Sequence, residues 1–427
     1  MAWPEKLKLN KQLIRSITEA GYLNPKELQL KTLPRIIGGQ DIIAVGHESS
    51  GKTTTYILAV LNRLKHTNEG VPLVLILVPD KEHVLDVISR FELLNKNKAV
   101  SIVGLYASPG TEAQMNALAD GADIVVATPD RARAIYLKLG LNLNKIELLI
   151  VDDAGQIVKQ GLQLPVAELA NSITKCQHLV FTDVVHDKLN KMIAPFMKLP
   201  AIVEVDEIGE AAMELHPQML YHVPNFGTKL NLLNLFMQDD ELFTKTVVFV
   251  NTRQTAEKVY KTLQNRLKNA VAMLKTGAAD FESSPEVRVL VAANENGIEI
   301  DLRQIPFLIH FELPGDKETF INRIKNATPG TGEETLAITF ATDLELSQIK
   351  KIEQATGQKI TPAELPAGLV IEKEKTAAKP DEKQAPKRKA PVVEKGEAFH
   401  EKKASNSKTY NYSSGLKAKM TNKRKHS

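Results

Sequence analysis

The feature that most constrains the fold is a short apolar run followed at once by a loop bounded by glycines. Ile42-Ile43-Ala44-Val45 leads into Gly46-His47-Glu48-Ser49-Ser50-Gly51-Lys52-Thr53. The loop fits the pattern G-x-x-x-x-G-K-[ST], which belongs between a strand and the first turn of a helix, here beginning near Thr54. Gly46 and Gly51 let the backbone curl so that its N–H groups face phosphate oxygens; Lys52 adds a cation for the outer phosphates, and Thr53 offers a hydroxyl to Mg²⁺. A nucleoside triphosphate such as ATP is the natural guest. Glu48 brings a carboxylate close to those phosphates and must point away or weaken binding; His47 reads as facing solvent.

After the loop, apolar runs of strand length recur between helix-like segments. Leu73–Val78, Val100–Leu105, Ile124–Ala127, Leu148–Val151 and Leu179–Phe181 are separated by stretches such as Lys81–Leu94 and Glu112–Leu118. Continuous apolar strands alternating with helices predict a doubly wound parallel sheet with the loop at the carboxyl ends of its strands. A second series begins near Gln218, with strands predicted at Thr246–Val250, Arg288–Ala292, Phe307–His310 and Leu336–Phe340, and helices at Lys229–Met237, Arg253–Leu267, Lys317–Lys325 and Leu344–Thr356. At 427 residues the chain can build two cores. The fold class is therefore α/β, with two tandem parallel-sheet domains over residues 1–207 and 218–371, a linker at 208–217, and a tail at 372–427.

The formal charge of +4 conceals a division. The tail holds 16 Lys and Arg against 7 Asp and Glu, whereas the preceding residues hold 39 against 44. Lys387-Arg388-Lys389, Lys402-Lys403 and Lys423-Arg424-Lys425, with Tyr410 and Tyr412 between them, suit a disordered arm that tracks a phosphate backbone, the alternative being a solubilising tail with no partner. No apolar run reaches the ~18 to 20 residues needed to span a bilayer, the N-terminus lacks a signal-peptide core, and the single cysteine, Cys176, excludes an intramolecular disulfide. These features lead us to expect a cytoplasmic protein with no membrane partner.

Gln29 can both donate and accept, as the edge of adenine requires. With it in place, roughly residues 3–362 resemble the DEAD-box family of ATP-dependent RNA helicases. Gly21-Tyr22, Pro25 and Gln29 resemble the adenine-reading Q motif. Val78-Pro79-Asp80-Lys81-Glu82 stands at P-T-R-E-L, and Ala127-Thr128-Pro129-Asp130-Arg131 at T-P-G-R. Asp152-Asp153-Ala154-Gly155 stands in for D-E-A-D and Phe181-Thr182-Asp183-Val184 for F-S-A-T. In the second half, Val247–Arg253 resembles motif IV, Val289–Asp301 motif V, and Phe320-Ile321-Asn322-Arg323-Ile324 the opening of H-R-I-G-R-x-G-R. The resemblance implies two RecA-like domains, ATP with Mg²⁺ held by Thr53 and Asp152, and a water oriented by Asp153. It also implies RNA backbone contacts from Thr128, Pro129, Arg131 and Arg253, coupling through Thr182 and Arg323, and ribonucleoprotein or ribosome-assembly partners.

The departures matter as much. Asp153 replaces a glutamate and is one methylene shorter; Lys325-Asn326-Ala327-Thr328-Pro329 lacks both arginines that the family places over the phosphates. Such arginines are worth on the order of 10³ to 10⁵ in rate, and Lys325 is no bidentate substitute. Two functions follow: an RNA helicase with RNA-stimulated ATP hydrolysis, or a non-catalytic RNA-binding scaffold on the same body.

Overall fold

The computed structural model describes residues 7, 9–22, 24–64, 70–108, 110–205, 213, 215–274, 286–296, 300–302, 305–327 and 335–373. The first half runs α1 (Lys11–Glu19), α2 (Glu27–Ile37), β1 (Ile42–Gly46), α3 (Lys52–Arg63), β2 (Val74–Leu77), α4 (Lys81–Leu94), β3 (Ile102–Leu105), α5 (Thr111–Ala119), β4 (Ile124–Ala127), α6 (Pro129–Leu137), β5 (Leu148–Val151), α7 (Ala154–Lys159), α8 (Gln163–Ser172), β6 (Gln177–Thr182), α9 (Asp187–Ile193) and β7 (Ala201–Val205). The second half runs β8 (Gln218–His222), α10 (Phe226–Phe236), β9 (Thr246–Val250), α11 (Arg253–Leu267), β10 (Val271–Met273), β11 (Val289–Ala293), β12 (Phe307–His310), α12 (Lys317–Asn326), β13 (Leu336–Ala341), α13 (Leu346–Thr356) and β14 (Thr361–Ala363).

Each half forms a seven-stranded sheet, in the orders β3-β4-β2-β5-β6-β1-β7 and β10-β11-β9-β12-β13-β8-β14. The second order is the first with seven added to every number, so the chain builds one parallel-sheet topology twice. The neighbouring strands run parallel, with Ile42 between Leu179 and Ala201 in the first sheet and Leu308 between Ala337 and Val247 in the second. Because helices cover both faces, β1, β2, β4 and β5 are buried along their whole length. One face of the first sheet packs Leu33, Tyr56, Phe91 and Phe181; the other packs Ala132, Ile157, Leu169 and Leu189.

Polar caps set where several strands hand over to helices. Asp80 accepts from His83 N at 3.0 Å to open α4, Asn225 from Thr228 N at 2.9 Å to open α10, Thr252 from Thr255 N at 3.1 Å to open α11, and Asp316 from Thr319 N at 2.7 Å to open α12. Each such cap contributes about 1 kcal/mol and fixes the residue at which the loop ends.

The sequence reading located α4 and α11 to the residue and missed β7, β8, β10 and β14. β7 lies at the edge of the sheet and alternates, with Ile202 and Glu204 facing solvent; β8 is only partly buried, and β10 and β14 are three-residue strands. Most of the expected linker at 208–217 and nearly all of the tail at 372–427 lie outside the described residues. Among the described residues, no helix is long and apolar enough to cross a membrane.

Candidate nucleotide-binding site

The loop after β1 turns twice through left-handed backbone, at Ser49 (φ 68°) and Gly51 (φ 91°), before α3 begins at Lys52. Glycine is needed at the second turn, since a Cβ on Gly51 would lie 3.0 Å from Gln29 Nε2. The first N–H groups of α3 have no partner within the helix and carry its positive dipole end, the arrangement that attracts phosphate. Ser50 Oγ is buried beside them without a hydrogen-bond partner among the described residues. An unsatisfied hydroxyl, open helix N–H groups and a lysine together fit a phosphate group.

A cavity of about 680 Å³ opens here. Gln29, Tyr22, Asn24 and Lys26 border one end; Asp152, Asp153, Asp183 and His83 border the other, and Lys52, Thr53 and Thr54 lie along the loop. The acidic residues arrive from the carboxyl ends of β6, which pairs with β1, and of β5, the next strand beyond it. Strand order therefore brings Asp183 to Lys52, 131 positions away in the chain. Gln29 is buried, and its Oε1 accepts from Lys26 N at 3.0 Å, while Lys26 Nζ donates to the Ser49 carbonyl. His47 lies half-buried, its Nδ1 2.5 Å from the Glu48 carbonyl.

Lys52 uses three acceptors. Its ammonium donates to the carbonyls of Gly46 (2.5 Å) and His47 (3.0 Å) and forms an ion pair with Asp183, whose position the F-S-A-T motif fills with alanine. Asp183 also accepts from Ser347 Oγ of α13 at 3.1 Å.

Asp152 is almost wholly enclosed. Its Oδ2 accepts from the buried Tyr56 hydroxyl at 2.8 Å and from Thr53 Oγ1 at 3.3 Å, and its Oδ1 from Asp153 N at 2.9 Å. Burial raises its pKa above the ordinary carboxylate value despite these donors and Lys52. Asp153 sits at φ 48° and is raised by burial and by the neighbouring charges of Asp183 and Asp152. Thr53 and Asp152 offer the hard oxygen atoms that magnesium takes, but among the described residues no cluster of three or more His, Cys, Asp or Glu could hold a metal alone. The pair fits an ion whose remaining ligands are phosphate and water.

Two contributors were not legible in the sequence. Tyr56 reads as one more apolar position in a helix, yet it is the closest donor to Asp152. His83 bridges Asp80 (2.8 Å) and Asp153 (3.9 Å). Burial depresses its pKa, but Asp80, with Asp153 and Asp152 behind it, outweighs that and raises it.

The residues expected on RNA lie elsewhere on the same edge. Thr128 and Pro129 are buried where β4 meets α6, and Arg131 Nε donates to Gln114 Oε1 at 2.7 Å. Thr182 is fully buried, its hydroxyl donating to the Val184 carbonyl at 2.9 Å. In the second lobe Arg253 begins α11, with its N donating to Glu295 at 2.9 Å. Arg323 turns inward: its guanidinium lies 3.9 Å over the Phe249 ring and donates to Asn294 Oδ1 at 2.7 Å. Lys325 and Asn326 are exposed, and neither borders the cavity. Pro329 lies outside the described residues.

The sequence model of the DEAD/DEAH box helicase family matches residues 26–192. An ATP-dependent RNA helicase DeaD of Buchnera aphidicola is 27% identical over 84% of this chain and 60% of its own length. The DeaD protein of Mycobacterium tuberculosis is 24% identical over 84% of this chain and 64% of its own. The chain thus spans about three fifths of the length of the curated relatives it matches. A crystal structure of the yeast DEAD-box splicing factor Prp28 superposes with a TM-score of 0.49 at 21% identity, covering 84% of this chain and 88% of that one.

Proposed function

We propose that the chain, whose residues 26–192 match the DEAD/DEAH box helicase model, works as a DEAD-box helicase: it binds ATP in the cavity at the phosphate loop, binds RNA at the carboxyl end of β4, and hydrolyses ATP when RNA is bound. The convergence of Lys52, Asp152 and Asp153 on one cavity from the ends of β1 and β5 carries this reading.

In it, Gln29 reads the adenine edge and the α3 N-terminus with Gly46, Glu48, Ser49, Ser50 and Gly51 cradles the phosphates. Lys52 leaves Asp183 to hold the outer phosphates. Thr53 and Asp152 are the side chains that would hold magnesium, which supplies charge neutralisation on the leaving oxygens. Asp152 stays ionised best with a cation beside it, because burial alone disfavours its charge. Asp153 orients the attacking water and, being raised by its surroundings, can accept the proton. Its reach is over ~1 Å shorter than a glutamate's, which slows the step by around a hundredfold. Thr128, Pro129, Arg131 and Arg253 grip RNA backbone, Thr182 and Arg323 couple that grip to the nucleotide, and the basic tail adds a tether. RNA as partner is supported by the names of the relatives.

Steady-state ATP hydrolysis with and without single-stranded RNA, beside Lys52→Ala as the blank, tests the reading. RNA-stimulated turnover above the blank is expected. The second reading, a scaffold that binds ATP and RNA without turnover, is favoured by the inward-facing Arg323 and the exposed Asn326 where the family pattern has an arginine. Turnover equal to the blank, with both ligands bound, selects it.

A further inference from the structure

Family resemblance leaves the second lobe without its phosphate-facing arginines, and Lys325 and Asn326 do not border the cavity. Among the described residues that line it, one comes from the second lobe: Lys351, on α13. Its Nζ lies 3.0 Å from Glu48 Oε2, inside the phosphate loop. One helical turn earlier on the same face, Ser347 donates to Asp183, the partner of Lys52. The α13 face is therefore laid directly over the two carboxylates that neutralise the loop.

Taking the ATP reading above as its basis, we propose that Lys351 is a phosphate ligand of the nucleotide site, supplied across the lobe boundary and parked on Glu48 until phosphate arrives. Three observations support it. First, α13 is anchored without Lys351: Lys350 pairs with Glu204 at 2.9 Å, and Leu344, just before the helix, packs against the first lobe's core. The Lys351 side chain need only change rotamer. Second, its pair with Glu48 is the exposed kind, with side chains 46% and 76% accessible, so it is weakly held and exchanges readily. A triphosphate carries more negative charge than one carboxylate and wins that exchange. Third, the ammonium also feels Asp183 and Asp153, the residues at the end of the cavity where the terminal phosphate and the attacking water belong in this reading. Glu48, a liability for a phosphate loop, then has a use: it holds the incoming cation in place.

The test compares dissociation constants for ATP and ADP in the full chain and in Lys351→Ala, Lys351→Arg and Glu48→Gln. A charge-assisted hydrogen bond to the terminal phosphate predicts that Lys351→Ala weakens ATP about tenfold and ADP far less, with most of the ATP affinity kept by Lys351→Arg. Glu48→Gln should act in the opposite direction and tighten ATP. If the pair were merely a latch between lobes, both variants would shift ATP and ADP together and with the same sign. Unchanged or tighter ATP binding in Lys351→Ala overturns the proposal while the nucleotide site stands. A parent chain that binds neither nucleotide overturns both.

Discussion

Replacing Asp183 with alanine should tighten ATP binding by ten- to a hundredfold. Lys52 donates to Gly46, to His47 and to Asp183, so a phosphate can be held only by displacing one of them. Asp183 is the partner a phosphate oxygen replaces charge for charge. The two side chains are 12% and 15% exposed, so solvent screens the pair little, and a charge-assisted hydrogen bond of this kind contributes about 1.5 to 3 kcal/mol. A carboxylate left some 5 Å from the phosphates adds repulsion of about 3 kcal/mol per unit charge at an effective dielectric of about 20, before magnesium offsets it. The lower bond figure alone is about tenfold in affinity; with part of the repulsion the gain approaches a hundredfold. Titration calorimetry with ATP and magnesium measures it directly. Ser347→Ala is the control, because Ser347 donates to the same carboxylate without touching Lys52; it should change affinity by no more than about twofold. Equal or weaker ATP binding in Asp183→Ala would refute the competition.

Three other perturbations probe the fold and the tail. His310 is fully buried between Phe249 and Phe320, both ring nitrogens lack partners among the described residues, and burial with the nearby Arg323 charge pushes its pKa well below 6.5. The unfolded chain therefore takes up this proton first, so stability is full above pH 6.5 and falls below it by about 1.4 kcal/mol per unit; in denaturant melts His310→Leu should show a shallower loss between about pH 6.5 and 5. Gly51→Ala forces a side chain into φ 91° and against Gln29, costing about 1 to 3 kcal/mol and weakening ATP binding; a melting temperature and affinity equal to the parent's would show that the loop has another conformation. Deleting residues 372–427 removes a surplus of nine positive charges and should flatten the dependence of RNA affinity on salt, read by fluorescence anisotropy; an unchanged slope would exclude the tail from binding.

Local chemistry made much of this protein legible before any coordinates. Glycines at 46 and 51, with a lysine and a threonine directly after the second, point to a phosphate loop, because backbone curl and helix dipole are properties of a few adjacent residues. Continuous apolar runs announced buried parallel strands, because burial on both faces leaves no polar alternation. One edge strand of the first sheet escaped: β7 exposes Ile202 and Glu204, so it lacks the burial pattern that marks the interior ones.

What sequence could not show is which charges meet. That Lys52 rests on Asp183, that Tyr56 holds Asp152 from 96 residues away, and that Lys351 rather than Lys325 reaches the phosphate loop are consequences of strand order and of one lobe lying against the other. Proximity of this kind costs a long-loop closure that only the burial of two sheets repays, and no local pattern records it. The sequence by itself determined that a phosphate loop would open one of two α/β halves; the tertiary structure decided which carboxylates guard it and which cation from the far lobe stands ready.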